Sequence, residues 1–151
     1  MQTREKHLYH GAAITQIVEH DSFKALNKAS DAYGHYLINH DCRLHVKYTK
    51  SKRWSFTFQT SDIARIRKDL ALGNRVFVCL VCSDETVCAL DAEEIRSVLD
   101  LAQANTQQWV RITVPDGGSM HVKGYDGKLG HAVYHNAFPG VLFEEVDAFS
   151  A

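Results

Sequence analysis

The stretch LHVKYTKSKRW, residues 44–54, gathers Lys47, Lys50, Lys52 and Arg53 beside the rings of Tyr48 and Trp54. Cations track a phosphate backbone and flat rings stack on bases, so this mixture has the chemistry of a nucleic-acid contact. Side-chain alternation divides it. Leu44, Val46 and Tyr48 fall on one face of a strand, read as the inward one, and His45, Lys47 and Thr49 on the outward one. In the next segment, WSFTF, Trp54, Phe56 and Phe58 share a face, which marks them as core rather than as a stacking platform. What remains for a partner is the basic turn, with Lys50, Lys52 and Arg53 as the nucleic-acid-binding candidates.

Nine histidines and four cysteines offer further chemistry. His35, His40 and His45 lie around one hairpin, where His40 and His45 are expected to meet across the turn. His131 and His135 have helical i, i+4 spacing. Paired imidazoles suit Zn²⁺, Cu²⁺ or Ni²⁺, but no cysteine or carboxylate is spaced to complete either set, and no metal site is assigned. Cys79 and Cys82 have the outward form of a CxxC pair. They lie inside an apolar strand, where residues three apart point to opposite faces, so with Cys42 and Cys88 they read as packing thiols. There is no nucleophile elbow and no phosphate-cradling glycine motif.

These residues must be positioned by the elements around them. At 151 residues the chain is expected to form one domain, 1–151. With 45% apolar and 23% charged residues it has the composition of an ordinary globular protein, and a net charge of −1 supplies no global basic field. Any anionic partner must be held by a local patch. Neither a signal peptide nor a membrane span is read in the chain, so a cytoplasmic protein with reduced thiols and no membrane partner is expected.

Ile14, Ile17, Val18, Ala25 and Leu26 predict helix between Gly11 and about Ser30, with Asp21 and Ser22 as an interruption. HYLIN, RLHVKYT and WSFTF predict an antiparallel meander of three strands. SDIARIRKDLALG reads as a helix capped by Ser61, striped by Ile63, Ile66 and Leu70, and ended by Gly73. RVFVCLVC is apolar at nearly every position, as in a strand covered on both faces, and TVCAL is a short fifth strand. DAEE opens a helix with a capping box of Asp91 and Glu94, and WVRITV and MHVKGYD form a late hairpin. The expected fold is α+β, a mixed, largely antiparallel sheet with helices packed on it, in the order α-β-β-β-α-β-β-α-β-β.

A helix, a three-strand meander, a crossover helix and a buried fourth strand resemble the core of the restriction-endonuclease-like PD-(D/E)xK nucleases over residues 11–83. That resemblance implies a Mg²⁺ site in which Lys47 is the motif lysine, Asp41 (or Asn39) the first metal ligand and Glu19 the helix acid. Hard oxygen ligands hold the ion, which neutralises charge at the phosphodiester. His45 stands where that family has a carboxylate, a softer ligand at the position. More broadly, the chain is similar to small uncharacterised bacterial proteins carried on mobile gene cassettes, a likeness that implies no activity.

The preferred expectation is a bacterial binding or accessory protein without enzyme chemistry and without a cofactor. It would be associated with mobile DNA, touch nucleic acid through the basic hairpin, and pair as a homodimer through a sheet edge or the aromatic tail. The alternatives are a metal-dependent nuclease using Glu19, Asp41, His45 and Lys47, with Mg²⁺ as its cofactor, and a small-ligand binder with a pocket lined by Trp109, Tyr125 and Phe138.

Overall fold

A computed structural model of the chain describes residues 2–144, and the tail residue Phe149 lies outside them. The fold is α+β, and it is built on two sheets rather than one. Helix α1 (Glu5–Val18) leads into strands β1 (Leu26–Lys28), β2 (His35–Ile38), β3 (Cys42–Thr49) and β4 (Trp54–Phe58). Helix α2 (Thr60–Ala71), strands β5 (Arg75–Cys82) and β6 (Thr86–Leu90), and helix α3 (Ala92–Val98) follow. Strands β7 (Gln108–Thr113), β8 (His121–Gly124) and β9 (Gly127–Lys128) close the order. The first sheet runs β1-β2-β3-β5-β6 and the second β4-β7-β8-β9.

The three-strand meander is corrected here. β2 and β3 pair antiparallel as expected, but β4 leaves for the second sheet and pairs with β7. The strand that lies beside β3 is β5, parallel to it over eight residues. Burial explains the departure. Trp54, Phe56 and Phe58 enter one core cluster with Val78, Leu80, Val110 and Ile112, so β4 forms the wall of a layer facing the first sheet. Burying rings like Phe56 and Phe58 contributes roughly 2–3 kcal/mol each, far more than keeping a short hairpin.

The first sheet is therefore covered on both faces. On one, Leu44, Val46, Phe77 and Cys79 pack under Ala13 and Ile17 of α1. On the other, Val76, Val78 and Leu80 pack against α2 residues Ile63 and Ile66 and against the second sheet. Every residue of β5 except Arg75 is buried, as its apolar run predicts. Cys79 and Cys82 fall in opposite clusters, and all four cysteines are buried and free.

Smaller differences concern helix ends. The first helix lies over Glu5–Val18, and Leu26 belongs to β1. Thr60 begins α2, with Gln59 rather than Ser61 at its cap and the Asp62 carboxylate accepting the Gln59 N–H at 2.9 Å. Gly73 ends the helix at φ +77°, a left-handed conformation that favours glycine. The Asp91–Glu94 capping box forms as read.

Candidate functional site

Arg43, His45 and Lys47, at odd positions of β3, do not point out into solvent. They point at α2, where the expected outward face becomes a polar layer inside the fold. β2 and β3 are registered with His35 opposite His45, and the two rings stack with centroids 4.4 Å apart. His40 sits exposed in the turn instead, because the connection takes up residues 39–41. Above the rings stands Asp69 of α2, buried on the stripe that Ile63 and Ile66 begin. Its Oδ2 lies 2.6 Å from His35 Nε2 and 2.8 Å from His45 Nε2.

One protonation pattern satisfies this group. Each Nε2–H donates to the carboxylate, and Ser30 Oγ donates to His35 Nδ1 at 2.7 Å. Burial lowers the His45 pKa against the pull of Asp69, keeping the imidazole neutral. For Asp69, burial pushes the carboxyl up, but the hydrogen bonds from His45 and His35 outweigh it and hold it below the usual range. Arg43 Nη1, 3.8 Å from Oδ1, adds a cation at the edge. The result is an ionised carboxylate accepting from two buried imidazoles, tying β2, β3 and α2 together.

His35, His45 and Asp69 are also the set among the described residues that could hold a metal ion, with donor atoms within 4.8 Å of one another. Two imidazoles and a carboxylate are the donor types of Zn²⁺ and similar ions rather than of Mg²⁺. Asp69 is the member that sequence reading missed. Its signal was its place three residues after Ile66 on an otherwise apolar stripe.

Lys47 is engaged as well. Its Nζ lies 2.8 Å from Asp62 Oδ2, and Arg65 holds the other oxygen at 3.2 Å. Glu19 is the exposed residue that caps the C-terminal end of α1, the helix on the opposite face of the sheet. Asp41 is exposed in the β2–β3 turn, 3.6 Å from Arg75 Nη1. His45 and Lys47 share a face; Glu19 and Asp41 do not join them there.

The basic turn splits. Lys50 reaches back to Glu5 of α1 at 3.1 Å. Lys52 and Arg53 go the other way and flank a surface groove with Trp54, Arg111 and Thr113. Among the described residues neither has a carboxylate partner.

The remaining histidines and the ring trio separate. His131 donates to Glu94 at 2.7 Å, while His135 bonds Thr86 and Gly118. The stretch between them is not an α-helix. Phe138 is buried in the α1-side core, whereas Tyr125 is exposed and Trp109 lies under the Arg111 guanidinium, so the three do not line one pocket.

No protein-family model, curated protein or solved structure matches this chain. Among the described residues no helix is long and apolar enough to cross a membrane.

Proposed function

We propose that the protein is a binding or accessory module that contacts nucleic acid through the basic segment between β3 and β4, in keeping with a role beside mobile DNA. The observation that carries this reading is the pair Lys52 and Arg53, exposed on the strap between the sheets and free of any carboxylate among the described residues. Two unpaired cations beside Arg111 make a local positive site on a chain whose net charge is −1. Binding should weaken steeply with salt, because each phosphate contact releases counterions. Retention of labelled DNA or RNA across a salt series tests this, with Lys52→Ala/Arg53→Ala as the variant. Binding that survives both changes, or that ignores salt, counts against it.

The nuclease alternative asks Glu19, Asp41, His45 and Lys47 to surround one Mg²⁺. The salt bridge from Lys47 to Asp62 and the position of Glu19 on α1 favour a structural use of these residues instead. A second reading has its own support in the His35–His45–Asp69 group. It is a transition-metal site, with Ser30 turning to accept His35 Nδ1–H when Nε2 becomes a ligand. Zn²⁺ at ~2.1 Å from each donor needs them about 3.4 Å apart in tetrahedral geometry, slightly wider than the hydrogen-bonded spacing. Visible absorption on adding Co²⁺, lost in Asp69→Asn, tests that use. A Co²⁺ titration that leaves the spectrum flat sinks it.

A further inference from the structure

The second sheet packs on one side only. Phe56, Val110, Ile112 and Val122 point into the core. The alternate positions face away, and among the described residues no helix or strand covers them. The register on that outer face is unusual. Ser55 pairs with Arg111, Arg111 with Lys123, and Lys123 with Lys128. Three cations thus stand directly opposite one another on three adjacent strands.

Like charges in direct cross-strand pairs destabilise a sheet. Among the described residues none of the three has a carboxylate in ion-pair reach to offset that cost. The acids nearest in the chain, Asp116 and Asp126, lie in the turns beyond the strand ends. An anion laid along the row would relieve the repulsion.

Rings lie one row away, about 7 Å along the strands. Trp109 is half-buried beneath the Arg111 guanidinium, 4.6 Å from ring centroid to carbon. Tyr125, whose backbone N–H bonds Trp109 O, is 43% exposed. On the other side the row gives way to Thr113 opposite His121, with Arg53 at the start of β4.

We infer that the outer face of the second sheet is a platform for single-stranded nucleic acid. The phosphate backbone follows Arg111, Lys123 and Lys128, and unpaired bases lie over Tyr125 and beside the Trp109 ring that Arg111 covers. A duplex would satisfy the cations but hide the faces of its bases, whereas an exposed ring beside a half-buried one on a four-stranded sheet suits bases that have been unstacked. The inference rests on the nucleic-acid reading of the basic segment between β3 and β4 and extends it, since Lys52 and Arg53 form the rim of this face.

The test measures anisotropy of a labelled oligothymidylate and of a duplex of equal length at low salt, with the full chain. Wild type should bind the single strand at least tenfold more tightly than the duplex. Arg111→Gln/Lys123→Gln should lose at least tenfold and flatten the salt dependence by about 1.4 in log–log slope, at roughly 0.7 per contact. The same variant should melt at or above the wild-type temperature, because it removes repulsion. Trp109→Ala should weaken the single strand alone. Equal affinity for duplex, unchanged binding in Arg111→Gln/Lys123→Gln, or equal competition by polyglutamate overturns the inference. If Lys52→Ala/Arg53→Ala loses binding while Arg111→Gln/Lys123→Gln does not, the reading of the basic segment stands and the platform falls. If wild type holds no oligonucleotide at low salt, both fall.

Discussion

Lys47 Nζ sits 2.8 Å from the carboxylate of Asp62, and that contact joins the middle of the first sheet to the first turn of α2. For Asp62, burial pushes the carboxyl up, yet the Lys47 hydrogen bond and charge, the Gln59 N–H and Arg65 together hold it below the usual range. Lys47→Met should therefore act as a stability mutant, at a cost of about 1–3 kcal/mol for a half-buried carboxylate left short of a donor. Urea denaturation reads this directly. Under the nuclease alternative the same change would abolish Mg²⁺-dependent DNA cleavage while the wild type cleaves, and a cleaving wild type would overturn the structural role of Lys47.

Asp69 carries more, because two buried imidazoles depend on one oxygen. Asp69→Ala is expected to destabilise by about 1–3 kcal/mol for each of the two buried imidazole N–H groups that lose their acceptor. A shift in the denaturation midpoint below the equivalent of 1 kcal/mol would mean that the network contributes little.

Acid sensitivity should begin earlier than carboxylates alone would cause. His10 is buried in α1, between the rings of Tyr33 and Tyr48, with its Nδ1 unpartnered. Burial, with Lys6, Lys47 and His7 nearby, lowers its pKa from 6.5 to about 4. His45 is lowered too. Below pH 6.5 the unfolded chain takes up protons that the folded chain refuses, so stability falls as pH drops from about 6.5 towards 4. Asp69 and Asp62, both depressed, then extend the loss below the usual carboxylate range. His10→Leu should flatten the upper part of that decline in melting temperature against pH. An unchanged profile would assign the slope elsewhere.

Gly34 is held at φ +81°, where an added Cβ would meet Val46 O at 2.7 Å and His10 Cε1 at 2.9 Å. Gly34→Ala combines backbone strain with a clash against a central strand, and should cost at least about 2 kcal/mol. Gly73→Ala, strained at φ +77° but with open space around it, should cost less. Comparing the two melting temperatures checks the ranking.

Much of the fold was legible because periodicity reports burial. The apolar run that follows Arg75 in RVFVCLVC revealed a strand covered on both faces, and the Asp91–Glu94 pair marked a helix start that forms as read. Alternation identified WSFTF as a strand but could not name its partner, since Val110 and Ile112 lie some fifty residues on. The same gap hid the site. His35 and His45 were visible around their hairpin, but a turn one residue longer or shorter decides which histidines face each other. Asp69 follows Ile66 on the buried stripe of α2, but only the packing of that helix across the sheet brings it to the two histidines. Arg111, Lys123 and Lys128 are scattered in the chain and meet only through register.

The wandering of β4 has a consequence for biosynthesis. A ribosome delivers Trp54, Phe56 and Phe58 well before it delivers β7, the strand that pairs with them. During that interval an aromatic, partnerless edge is exposed to other nascent chains, the kind of surface that chaperones shield and that invites clumping. Yield of native protein should therefore respond to translation speed and growth temperature more strongly than final stability alone would dictate.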